Sequence, residues 1–99
     1  MSFALQTGAG HHLGFLLLAG GPINGDCIFR SLPTAAGAFE LPESEYLYQL
    51  QQQGEFRWTD LGAGDYKIQD SAGRIVAEIK AGYLSSSQFQ FTVVRLKPA

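Results

Sequence analysis

The stretch Tyr66 to Lys80, YKIQDSAGRIVAEIK, decides the fold class. Tyr66, Ile68 and Asp70 alternate with Lys67 and Gln69, and Ile75, Ala77 and Ile79 alternate with Val76, Glu78 and Lys80. Period-two alternation puts successive side chains on opposite faces of an extended chain, and Ser71-Ala72-Gly73 between the two runs supplies a turn, so the segment reads as a β-hairpin. Downstream, Phe89, Phe91, Val93 and Arg95 alternate with Gln90, Thr92, Val94 and Leu96. That final strand has one strongly apolar face and a mixed second face, which places it inside a sheet or at an interface.

Working outward, Gly and Pro punctuate the whole chain: Gly8, Gly10, Gly20-Gly21-Pro22, Asn24-Gly25, Pro33, Gly37, Pro42, Gly54, Gly62, Gly64, Gly73 and Gly82. Short apolar pieces between turn residues are the pattern of antiparallel meanders, sandwiches and small barrels. Strands are expected near 2–7, 12–18, 26–32, 37–41, 46–51, 55–60, 65–70, 74–80 and 88–96. The expected fold is all-β: a small antiparallel β-sandwich or barrel of about eight strands built from hairpins, with 42–53 open to reading as one short helix. Pro42 and two Glu at its start and Gly54 past its end are helix signals. The alternation of Tyr46, Tyr48 and Leu50 with Leu47, Gln49 and Gln51 favours a strand, and that reading is preferred.

The chain also echoes itself. Phe3 to Leu13 (FALQTGAGHHL) aligns without gaps on Tyr66 to Val76 (YKIQDSAGRIV), and Tyr48 to Phe56 fits the same pattern with one gap. Both of the first two read aromatic-x-aliphatic-Gln, polar turn, Gly, strand. The physical content is one hairpin used up to three times, with Gly supplying the positive φ of the turn.

At 99 residues the chain fits a single domain, 1–99, because halves of that length would bury too little surface to hold together. Hydrophobic residues at 45% and charged residues at 16% supply a core and argue against disorder. The net charge of −2, spread without a basic run, implies no nucleic-acid partner. The longest apolar run, Leu13 to Ala19 (LGFLLLA), falls far short of the roughly 20 residues of a membrane-spanning helix. Met1 to His12 carries no Lys or Arg, so no signal peptide is recognised. A lone cysteine closes no intrachain disulfide, which leaves the compartment open with a lean to the cytosol.

Few residues suggest chemistry, and no cofactor or metal is implied. His11 and His12 are adjacent and point to opposite faces of a strand, so they do not share an ion. Cys27 lies in an apolar strand, where a free thiol is ordinarily a small buried hydrophobe. Asp60, Asp65 and Asp70, and Glu40, Glu43 and Glu45, match no calcium loop, and the glycines of 7–10 and 61–64 lack the context of a phosphate cradle. The candidate binding residues are Trp58, Arg57, Tyr46 and Tyr48: in a hairpin Trp58 would lie across from Tyr46, and aromatics with a neighbouring cation are enriched at binding hot spots.

Two local resemblances follow from quoted segments. Tyr66 to Val94 (YKIQDSAGRIVAEIKAGYLSSSQFQFTVV) resembles the hairpin unit of tubby-like, LURP-one-related domains: a strand, a D-x-x-G turn, a strand ending in Lys, a Ser-containing link and another strand. The resemblance implies a barrel around a central helix and a lipid-facing or scaffold role. Gly54 to Ile68 (GEFRWTDLGAGDYKI) is similar to a stretch of transthyretin-like and Cna-B-type sandwich domains, which implies a stalk or binding module.

The resulting expectation is a non-enzymatic domain that binds a protein partner or self-associates into a homo-oligomer, with the final strand as the interface. The alternatives are a barrel holding a small apolar ligand or lipid among Phe15, Phe29, Phe56, Phe89 and Phe91, and an enzyme using Cys27 with His11 or His12.

Overall fold

A computed structural model describes residues 1–32 and 41–97. Eight antiparallel strands pair in chain order: β1 (Ser2–Gln6), β2 (His12–Leu18), β3 (Asn24–Ser31), β4 (Phe56–Gly62), β5 (Asp65–Asp70), β6 (Ile75–Lys80), β7 (Tyr83–Ser86) and β8 (Gln90–Leu96). The last pairs with the first, Ser2 opposite Leu96 and Leu5 opposite Val93, so the sheet closes into a barrel. Closure gives every strand a neighbour on both sides, which a short open sheet lacks.

Alternation sends one set of side chains inward. Phe3 opposes Leu16 and Leu16 opposes Phe29, Cys27 opposes Phe56, Trp58 opposes Ile68, and Leu84 opposes Phe91. All of these are buried and form one cluster. The Phe29 and Phe56 rings meet edge to face at 5.2 Å, so the inward aromatics pack on one another. Gly25 sits opposite Trp58 because no larger residue fits: a Cβ there would run into the Ala19 carbonyl oxygen and come within 3.0 Å of Trp58 Nε1.

The preferred strand at 46–51 is overturned: Pro42–Gln53 is a helix, α1. Pro42 at the first turn, Glu43 and Glu45 in the first turn, and Gly54 at φ 87° are the start and stop signals in place. The buried positions, Ser44, Leu47 and Leu50, recur every three residues, and that helical stripe outweighs the Tyr alternation. The helix packs against β3 and β2, and Tyr46 reaches Phe89, with ring centres 5.2 Å apart, so α1 covers one end of the barrel. Gln51 Oε1 accepts the backbone N–H of Ser31 at 2.8 Å, which satisfies β3 beyond the point where β4 runs beside it.

The expected strand at 37–41 falls on residues outside those described, Leu41 apart. Strand β7 adds a strand between those expected at 74–80 and 88–96. The proposed third hairpin copy, Tyr48 to Phe56, runs from the last turns of α1 into the start of β4 and is not a hairpin. The first two copies match in detail. Thr7 N–H donates to His11 O and Gly10 N–H to Thr7 O; Asp70 N–H donates to Arg74 O and Gly73 N–H to Asp70 O. A bulge sits at Leu5/Gln6 in one and at Ile68/Gln69 in the other. That second bulge turns Ile75 outward, to 56% exposure, against the simple alternation read from sequence.

If α1 is the cover of the barrel end, Leu47→Ala should cost about 3 kcal/mol, the ordinary loss for a truncated core leucine. Gln49→Ala, on the exposed side, should cost under about 0.5 kcal/mol. Urea unfolding of the two variants measures the difference.

Candidate functional site: the outer wall of the barrel

The four residues singled out from sequence do not form one patch. Trp58 points inward at 3% exposure, donates its Nε1–H to the Ala19 carbonyl at 2.9 Å, and packs edge to face on Tyr66. Tyr46 is on the helix against Phe89 and Phe91. Tyr48 is on the exposed side of the same helix. Arg57 points outward and pairs with Asp26 at 3.1 Å, with Asn24 Oδ1 at 3.5 Å. Trp58 is therefore a core residue, and the expected Trp58–Tyr46 pairing across a hairpin is replaced by Trp58 opposite Ile68 and Gly25.

The outward-facing rows differ in composition around the barrel. One cross-strand row runs Ile28, Leu17, Ser2, Leu96, and the next runs Arg30, Phe15, Ala4, Val94. Ile28 and Leu96 are each 37% exposed and Val94 44%, while Phe15 and Leu17 are half-buried and Ala4 is buried. On the other side of the barrel a row runs Thr59, Lys67, Glu78 and Ser85, and it reaches Gln90 at the start of β8. The wall made by β8, β1, β2 and β3 thus carries apolar side chains on adjoining strands, flanked by Asp26 and Arg30, whereas on the wall made by β4 to β7 the exposed apolar residues Leu61, Ile75 and Tyr83 are set off from one another by this polar row and by its charged neighbours.

The apolar wall is not smooth. A depression of about 180 Å³ lies between β2 and β3, lined by Leu17, Ala19, Asp26 and Ile28. Beside it, where β3 and β4 part after Cys27 and Phe56, a groove of about 630 Å³ is lined by Ile28, Gly54, Glu55, Arg57 and Ser71. The groove exists because the two strands pair only over Asn24 to Cys27.

The sequence signal for this wall was the unbroken run Leu13 to Leu18. A barrel strand has only one interior face, so the second apolar set of this strand, Phe15 and Leu17, is turned outward. Phe15 therefore leaves the expected ring of interior phenylalanines; His12 packs on it from the same outer side, with ring centres 4.9 Å apart.

Chemistry elsewhere is sparse. Burial first, and the Asp26 carboxylate second, push the Cys27 thiol up to about 12, so it holds almost no thiolate near neutrality. Among the described residues no three His, Cys, Asp or Glu side chains come together as a metal site. Asp70 is perturbed as well. The N–H of Arg74, then that of Ala72, and the Arg74 guanidinium hold its carboxyl below the ordinary value.

Two outcomes follow. Cys27 should resist thiol reagents at pH 8 in the folded protein and react at the rate of an ordinary thiol in urea. Because Asp70 titrates lower folded than unfolded, its contribution is in place above the ordinary carboxylate value and is lost as pH falls through the depressed one. Thermal melts between about pH 5 and pH 2 should therefore show a smaller acid loss in Asp70→Asn than in the parent. In comparisons with protein-family models, with curated proteins and with solved structures, none matches this chain.

Proposed function

We propose that this is an interaction domain, a small barrel that binds a protein surface through the outer wall of β8, β1, β2 and β3. One observation carries the reading: the contrast between the Ile28–Leu17–Ser2–Leu96 row and the Thr59–Lys67–Glu78–Ser85–Gln90 row. Contiguous exposed apolar surface on one side of a small domain costs solubility and marks interaction sites. The depression and groove beside Ile28 give it relief, and hot spots form where side chains enter such pockets.

A lipid-facing barrel is less well supported. The strands are four to eight residues long, below the about nine to eleven of a membrane-spanning strand. Lys67, Glu78 and Lys80 would also face the hydrocarbon. Ligand binding inside the barrel competes with the packed aromatic core that already occupies the interior.

Retention on a hydrophobic-interaction column tests the reading without knowing the partner. Leu17→Glu with Ile28→Glu should elute much earlier than the parent, whereas Thr59→Glu with Ser85→Glu, the same charge change on the opposite wall, should elute close to it. Equal shifts from the two pairs would mean that the wall is no stickier than the rest of the barrel, and the proposal would fail.

A further inference from the structure

The two outward rows of the wall have a symmetry that narrows the partner. On β3 the outward residues are Asp26, Ile28 and Arg30, an acid and a base placed two residues to either side of Ile28. On β2, antiparallel to it, they are Phe15 and Leu17, followed just past the strand by Ala19, so that a large and a small side chain stand two residues to either side of Leu17. Ile28 and Leu17 are direct cross-strand partners, Phe15 is level with Arg30, and Ala19 donates its N–H to Asp26 O.

A two-fold axis along the Ile28–Leu17 row, lying in the plane of contact, reverses the strand direction and keeps each strand over its own copy. It therefore sets Asp26 against Arg30 and Phe15 against Ala19, twice each. Both pairs are complementary: opposite charge in one, and a ring over the apolar depression at Ala19 in the other. Isologous contacts require this kind of self-complementarity.

Resting on the wall reading above, we infer that the partner is a second copy of this chain, docked face to face about that axis to form a two-fold dimer. Asp26 and Arg30 are both exposed, so each is free to reach across, and Asp26 also keeps Arg57 beside it. The charge pairs set the antiparallel orientation, and the apolar rows supply the association.

The test is sedimentation velocity over a wide concentration range on the parent, on Asp26→Lys, on Arg30→Asp, and on an equal mixture of the two variants. Each variant alone places like charges opposite one another twice and should dimerise at least about tenfold more weakly than the parent. In the mixture both contacts of the heterodimer become acid against base, so association should return to near the parental level. A parent that stays monomeric throughout, or a mixture that associates no better than its components, overturns the dimer. If the column retention still depends on Leu17 and Ile28 in that case, the wall reading stands and only the second copy is excluded; if it does not, both fall.

Discussion

Pairing of β1 with β8 is the constraint on which the rest depends. It joins the first residues of the chain to the last strand, Ser2 to Leu96 and Gln6 to Thr92, and removes both edges of the sheet. Closure entropy for so long a loop is offset only if the strands between already curl towards each other, and the hairpins from β4 to β8, connected by tight turns, supply that curl. Once the ends meet, inside and outside are fixed for every strand. Leu5 and Val93 must share the interior, and Ala4 and Val94 must share the outer wall.

Much of the fold was legible. The hairpin at Tyr66 to Lys80, its echo at Phe3 to Leu13, and the alternation from Phe89 onward are local patterns, and hairpin registers are local consequences of turns. The misreading of Pro42–Gln53 has a physical cause. Tyr46, Tyr48 and Leu50 satisfy a period of two and Ser44, Leu47 and Leu50 a period of three, and in twelve residues the tertiary setting decides between them. Here Leu47 and Leu50 fill the open end of a barrel, a demand that no local pattern states. The candidate site was legible in part. The mixed outer face of β8 pointed to a covered surface, but its union with Phe15, Leu17 and Ile28 depends on closure, and Trp58 was assigned to a surface because its partners, Ala19 and Tyr66, lie far away in sequence.

The crossover between β3 and β4 does two jobs through one helix. By leaving the sheet after Ser31, the chain parts β3 from β4 and opens the groove beside Ile28; by returning across β3, it closes the barrel end with Leu47 and Leu50 and gives Ser31 its acceptor in Gln51. Groove and cover are thus consequences of the same excursion, and a change that loosened α1 would be felt at the rim of the outer wall.

Strand β2 is apolar on both faces, and this bears on how faithfully the chain finds its own register. In a strand that alternates apolar with polar, a slip of one residue turns the polar set inward and is rejected at once. In β2 such a slip would exchange Leu16 and Leu18 for Phe15 and Leu17, one greasy set for another, and hydrophobicity alone would not reject it. The burden of proofreading falls instead on shape: Gly14, where a Cβ would run into the Arg30 carbonyl oxygen, and the turn in which Thr7 Oγ1 accepts the His11 N–H. Before the barrel closes, the same strand is a sticky ribbon with no charge to guard it, so misassembly between nascent chains should begin at β2 rather than at the charged strands of the opposite wall.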